Sequence, residues 1–504
     1  MNGIIFLVFL SLVGADQTLN LSLHDAIRIA LENNRNIQIQ RKSVEISQGN
    51  ILTQKGIFDP LLNLSSSFTD SKTPTTSAFV SSGAIDSKEF TAGSSITGNL
   101  PTGTFYNILN FSLTRTTTNN PIVSLSPSWV TNLGFGVGQN LLKNFGLDVN
   151  LTPIIVAKKS SEVSEKQLEQ TISDTLLSVE TAYWNAVAAK KNLEVARAEL
   201  EVSKTLRSQN EIQVEVGTLA PVAVTQAKAQ VASDEVNLIT AENNLKAAED
   251  SLKNILTIPL TEEIALTDEP TTVFKSFNEG DVLKEALEKR PEIAQAKLNI
   301  ESNEIQKKFA SNQRLPNLSV QGIVTLQGLG GSENPNILVF GGGKPPSIPE
   351  QFNEPIDAFT NLFEGRFPVW EVLGVFSFPL FNRTARGNYV QASASLDRSI
   401  ITLKQTEESV ALDVRNAIRQ VQNSLRSIES AKVAVQLNEE LLRQQNERLK
   451  VGVGTTLDVI QAQRDLVNAK TQEIQAIVNY NIALAQVEHA RGTILQARGV
   501  QIKE

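Results

Sequence analysis

Two different periods of hydrophobic and polar residues run along this chain. Ile418, Val421, Leu425, Ile428, Val435, Leu442 and Leu449 recur at spacings of three, four and seven. That is the seam period of packed helices. Lys432, Glu439 and Asn446 interrupt it, so the stripe is weakly hydrophobic. Residues 385–451 hold no proline and almost no glycine. The pattern therefore predicts one helix of about 65 residues, roughly 100 Å long at 1.5 Å per residue. Gly452 and Gly454 end it. A return helix follows over about 457–495, with Ile460, Val467 and Ile474 seven apart. A second pair of long helices is predicted over about 153–216 and 222–256.

Elsewhere the period is two. Trp129, Leu133, Phe135 and Val137 alternate with Asn132, Gly134, Gly136 and Gly138. Leu318, Val320, Val324 and Leu326 alternate with Ser319, Gln321, Thr325 and Gln327, and Phe105, Leu109, Phe111 and Leu113 continue the theme, as do Val372, Phe376, Phe378 and Leu380. These segments read as strands with one apolar and one polar or glycine face. Strands are expected near 60–69, 90–99, 104–114 and 128–138, then near 317–327 and 372–380. Such faces suit a sandwich or a lipid-facing barrel. The Gly-, Pro- and Asn-rich stretch 328–368 reads as a long loop.

The two halves of the chain repeat one plan. Ala30, Leu31, Ile37 and Pro60 match Ala286, Leu287, Ile293 and Pro316 at an offset of 256, whereas Gly217 and Ala227 match Gly452 and Ala462 at 235. The two offsets, 256 and 235, differ by 21 residues, about one β-hairpin, inserted in the first copy. The expected organisation is a signal peptide over 1–15, a first repeat over 16–257, a linker or equatorial region over 258–280, a second repeat over 281–495 and a tail over 496–504. The apolar run from Ile4 to Val13 and the small residues Val13, Gly14 and Ala15 carry the signal reading.

Composition narrows the chemistry. The 504 residues are 41% hydrophobic, 6% aromatic and 20% charged, with a net charge of −8. A compact chain of this length would form about three domains, but repetition and long helices argue against compactness. No basic run or aromatic-basic interleaving points to nucleic acid. The absence of cysteine excludes disulfides, thiolate metal sites and a cysteine nucleophile. His24 and His489 are far apart without carboxylates at ligand spacing, so no metal or cofactor is expected. Met1 is the single methionine, which speaks against a methionine ladder for soft metals. "GGGKPP" at 341–346 has Pro345 where a phosphate loop needs Ser or Thr. Tyr183 and Trp184, mid-helix, read as packing.

The opening "LSLHDAIRIALENN" at 21–34, the segment "TAYWNAVAAKKNLEVARAEL" at 181–200, the duplication and the two helix tips together resemble the TolC family of outer-membrane efflux proteins. The likeness covers about 19–495. It rests on the order and spacing of these features. It implies an α+β membrane protein: a long α-helical coiled-coil barrel continuous with a transmembrane β-barrel, built from an internally duplicated protomer that trimerises. In the family each copy gives four strands. The six read here imply an extra hairpin, which either joins the barrel or stands outside it; the expectation is an extracellular hairpin above the membrane, turned by "NLPTGTFY" at 99–106. The resemblance further implies the outer membrane of a diderm bacterium, extending into the periplasm, a periplasmic adaptor protein, an inner-membrane pump of RND, MFS or ABC type, and no catalysis. The glycine-bearing tips, Gly217, Thr218 and Leu219 in the first copy and Gly452, Val453, Gly454 and Thr455 in the second, would dock the adaptor. Asp458 and Gln461, just inside the return helix, are candidates for the periplasmic gate. An acid there also suits the helix dipole.

Two other readings explain less. A coiled-coil rod with a β-sandwich head accounts for the helices but not for strand insertions at matched places. A cell-wall hydrolase would need paired carboxylates or a nucleophile, and none stands out.

Overall fold

A computed structural model describes residues 19–339 and 347–500. The expected signal peptide, the GGGKPP stretch and the last four residues lie outside the described residues. The chain divides into two compact units. The first holds residues up to 46, 162–298 and from 400 onward, and the second holds 47–161 and 299–399.

The first unit is helical. Strand β1 (Leu19–Leu21) leads into α1 (Leu23–Asn33) and α2 (Arg35–Lys55). Ser22 starts α1 by accepting from the Asp25 amide at 3.1 Å. Asn34 breaks the helix and recaps it, its Oδ1 accepting from Asn36 N at 2.9 Å. Arg290 and Pro291 make the matching break between α6 (Glu279–Lys289) and α7 (Pro291–Asn312), since the proline ring disfavours a helical residue before it. The long helices are α4 (Thr152–Glu215), preceded by the short α3 (Leu147–Asn150), α5 (Pro221–Leu256), α9 (Arg383–Lys450) and α10 (Thr456–Ala490). Their bounds match the expected ones within two residues except at the last end. There α10 stops at Ala490 and Gly492 turns at φ 77° before α11 (Ile494–Ala497), so neither the helix nor the expected tail boundary falls at 495.

The seam on α9 is buried at Ile418, Val421, Ile428 and Val435 and half-buried at Leu425, Leu442 and Leu449. Val414, Ile418, Val421 and Ile428 pack with Ala476, Tyr480, Ala483 and Val487 of α10. A second cluster gathers Leu21, Ile37, Leu176, Tyr183, Trp184, Leu252 and Leu256. Tyr183 meets Trp184 edge to face at 5.4 Å and its hydroxyl donates to the Leu21 carbonyl. The stretch between the two copies is docked: β6 (Ile264–Leu266) pairs in parallel with β1, and Ile264 and Leu266 are buried.

The second unit is built on one antiparallel sheet. Its strands are β2 (Leu61–Pro74), β3 (Ala84–Asn99), β4 (Thr104–Thr118), β5 (Leu125–Asn140), β7 (Asn317–Glu333) and β8 (Phe367–Ser377), in the order β2-β3-β4-β5-β7-β8. Registers place Leu64, Ser94, Phe111, Leu133, Leu326 and Pro368 in one row. That face carries most of the large apolar side chains, and the other carries Ser, Thr, Asn, Gln and Gly. Three sequence expectations change here. Phe105 stands on the polar face, opposite Gly138, because a bulge between Asn107 and Asn110 with Leu109 at φ 51° breaks the alternation. The 99–106 turn is not a distal tip. It lies at the end where the sheet meets its helices, with Gly146 N donating to Thr102 O and Asn140 N to Gly103 O. β2 leaves that end, so β3 must return to it. Third, the 328–368 stretch is not all loop. β7 runs on to Glu333, and α8 (Asp357–Phe363) lies on the apolar face, where Thr131 Oγ1 donates to Ala358 O at 2.7 Å. Gly328 permits this approach, since a Cβ there would fall 1.8 Å from the Ala358 carbonyl oxygen.

Candidate functional site: the hairpin tips and the cleft beneath them

Both long helices of the outgoing pair end in the same motif. At the first tip Gly217 adopts φ 81°, its N–H donates to Val214 O at 3.0 Å, and Thr218 N donates to Gln213 O at 2.9 Å. At the second, Gly452 adopts φ 80°, with bonds to Leu449 O at 3.1 Å and from Val453 N to Arg448 O at 3.0 Å. This pair of bonds is a Schellman stop, which glycine favours because an L side chain strains at positive φ. Leu219 and Gly454 also repeat one another, each amide donating to the same acceptor, Gln213 O or Arg448 O.

The starts of the return helices differ. Ala220 caps α5 without a side-chain bond and Pro221 takes the first turn, where no N–H is needed. Thr455 and Asp458 form a capping box on α10: Asp458 N donates to Thr455 Oγ1 at 3.2 Å and Thr455 N to Asp458 Oδ2 at 3.0 Å. The Thr455 hydroxyl and amide bonds lower the Asp458 pKa. Gln461 is exposed and donates to Asp465 Oδ1 at 3.0 Å. Val216, Val451, Val453 and Leu457 stand in solvent around the tips.

Behind the tips lies a polar link that spacing did not reveal. Asn210 of α4 is buried, and its amide nitrogen lies 3.4 Å from Ala223 O of α5 and 3.3 Å from Thr456 Oγ1 of α10. It bridges the two hairpins. Deeper still, Ser203 donates to Asp234 Oδ2 at 2.6 Å, Gln230 Nε2 to Asp234 Oδ1 at 2.8 Å, and Arg464 Nε to Gln230 Oε1 at 3.0 Å. Glu199 faces the same cleft of about 430 Å³ among α4, α5 and α10. Burial and then the nearby Asp234 push its pKa up to about 7, against a smaller downward pull from Lys470. The sequence signal for this cleft is weak: Asn, Gln and Ser at helix positions that should be apolar.

His489 contacts Asp174 Oδ1 at 2.8 Å. Among the described residues no group of three or more His, Asp or Glu could hold a metal ion, and no helix is long and apolar enough to cross a membrane.

The sequence signature of the family described as outer membrane efflux protein matches residues 26–257 and 282–493. The chain is 25% identical to outer membrane protein TolC of Escherichia coli over 345 residues, which is 68% of this chain and 66% of TolC. It is 24% identical to outer membrane protein TolC of Vibrio cholerae over 339 residues, 67% of this chain and 72% of that protein. The solved Campylobacter jejuni CmeC outer membrane channel shares the fold, with a TM-score of 0.66 at 16% identity over 94% of this chain and 86% of CmeC. With the signature spanning both halves of the molecule, the chain belongs to the outer membrane efflux protein family.

Proposed function

We propose that the protein is a passive duct for export across the outer membrane, working as a homotrimer of an internally duplicated chain. The observation that carries this reading is the six-stranded sheet, whose apolar face is exposed on β2 and β8 and partly covered by α8 farther in, and whose β2 and β8 have no strand partner on their outer side among the described residues. Open edges cannot sit in hydrocarbon, so membrane insertion requires other copies of the chain. In this reading the sheets close a barrel in lipid and the long helices wall a water-filled passage through the periplasm. Exposed apolar residues on the helices, such as Leu437 and Val236, are then covered by neighbouring copies.

No part of the reading asks the chain for an energy source. Drive comes from an inner-membrane pump through a periplasmic adaptor that docks on Gly217, Thr218, Leu219, Gly452, Val453, Gly454 and Thr455. Asp458, kept ionised by its cap, and Gln461 line the gate. Adaptor binding opens the tips by favouring the open arrangement over the closed one. The test is direct. Detergent-purified protein imaged by negative stain should give hollow particles with threefold symmetry, and expression in a host lacking its own outer-membrane duct should lower retention of a fluorescent pump substrate. Solid rods or single compact particles would refute the duct.

A further inference from the structure

The sheet carries enough register to say how it closes. One row of paired residues crosses all six strands: Leu61, Thr97, Asn107, Gly136, Ile323 and Glu371. It starts at the first residue of β2. It ends on β8 six residues short of Ser377, the last residue of that strand, which lies at the same end of the sheet as Leu61. Rows therefore climb by six residues across the five gaps between these strands, and a seam that joins strand ends level adds a sixth gap with no climb. With about 3.4 Å per residue and about 4.8 Å between strands, the strands tilt by about 35° to a common axis, within the 35–45° that closed barrels adopt. The sheet is already sheared as a barrel segment.

β2 and β8 run in opposite senses and present opposite outer edges, so copies join head to tail and a ring can close. Resting on the trimer proposed above, we infer that β2 of one copy pairs antiparallel with β8 of the next and that all six strands enter the membrane ring, making an 18-stranded barrel. Matching the strand ends sets the seam. Leu61 faces Ser377 of the next copy, which puts Leu62 opposite Phe376, Leu64 opposite Gly374, Ser66 opposite Val372 and Phe68 opposite Trp370 on the apolar face. A shift by one residue would turn the apolar row of one strand onto the polar face of the other. Phe68 and Trp370, 67% and 76% exposed in the single chain, become a cross-strand aromatic pair.

The family resemblance implies four strands per copy. The hairpin β3–β4 is the addition, and it is bonded into the sheet on both sides, to β2 and to β5. At the spacing and tilt above, 18 strands give a backbone diameter of about 34 Å and 12 give about 23 Å. The mouth is roughly twice as large in cross-section, which suits bulky cargo.

The chain has no cysteine, so paired cysteines report the seam cleanly. Ser67→Cys with Glu371→Cys sit opposite one another in the inferred register, on the polar face, and Ser67→Cys with Thr91→Cys are partners within one chain. On oxidation in membranes, the first pair should give a ladder of two and three linked chains, the second only monomers, and Asn63→Cys with Glu371→Cys, four residues out of register, no ladder. Images of the unmodified protein in lipid nanodiscs should show six strands per copy around a ring about 34 Å across. A threefold ring about 23 Å across with β3–β4 outside it, and no Ser67–Glu371 ladder, would overturn the wide barrel and leave the export duct standing. Particles without a threefold ring would overturn the duct itself.

Discussion

Replacing Gly217 and Gly452 together by proline tests the tips. Both residues sit near φ +80°, and proline is confined near −65°. The substitution deletes the N–H bonds to Val214 O and Leu449 O and forces the chain out of the left-handed turn, so the bonds from Thr218 N and Val453 N are lost as well. Two bonds at about 1 kcal/mol each and a broken turn cost about 3 kcal/mol per tip. The damage stays local, because the core clusters around Tyr183 and Tyr480 draw on other residues. Alanine is the calibrating variant. A Cβ at Gly217 or Gly452 meets nothing within 4 Å, so Ala costs only the strain of positive φ, about 1 kcal/mol. Retention of a fluorescent pump substrate and the yield of membrane-extracted trimer are the two readouts. The proline pair should abolish export with trimer yield unchanged, and the alanine pair should keep most export. Normal export by the proline pair would refute adaptor docking at the tips.

Three further outcomes follow from buried polar groups. Asn210→Ala removes the bridge between hairpins, costs about 1–2 kcal/mol, and should raise the leak of closed channels in planar bilayers without loss of trimer. Glu199 titrates near pH 7 in the folded chain against 4.5 unfolded, so the native state holds the extra proton and stability falls as pH rises from about 4.5 to about 7. The full shift corresponds to roughly 3 kcal/mol and, after solvent screening of a partly exposed group, about 1–2 kcal/mol. Glu199→Gln should flatten melting temperature against pH across that window, and an unchanged slope would refute the assignment. Arg498→Ala strands the fully buried Glu180, which accepts Nε at 2.7 Å and Nη2 at 2.5 Å. The loss should be about 3–5 kcal/mol, with part recovered by adding Glu180→Gln, as read by thermal melting.

Much of this was written in local pattern. The 3-4 spacing on 418–449 predicted a buried seam, and Ile418, Val421 and Ile428 are buried; Lys432 and Glu439 interrupted it and are exposed. Glycines marked both helix stops because positive φ is a local demand. What stayed hidden needed long-range information. The bulge at Asn107–Asn110 moved Phe105 to the polar face, and periodicity alone cannot register a bulge. α8 lay within a loop-like composition, and its position depends on Gly328 and Thr131, distant in sequence. The 99–106 turn was a failure of a different kind: counting strands from α2 places it at the helical end, whatever its residues.

The pattern of satisfied and unsatisfied groups separates what must be fixed from what must meet a partner. The tips spend their backbone donors internally, with two matching Schellman stops and a capping box. Their shape is therefore set before anything binds, and a docking partner need not order them, a cost that otherwise weakens association. The sheet edges and one helix face do the reverse. Val433, Leu437 and Leu441 stand four apart and exposed on α9, and among the described residues β2 and β8 each leave one edge without a strand. Apolar stripes and open ladders of this kind are tolerated only when covered. In the proposed trimer one act of assembly covers both, so barrel closure and helix packing should be lost together. A substitution such as Leu437→Asp, far in sequence from β2 and β8, should thus also abolish the Ser67–Glu371 ladder. A persistent ladder in that variant would mean that the barrel assembles without the helical seam.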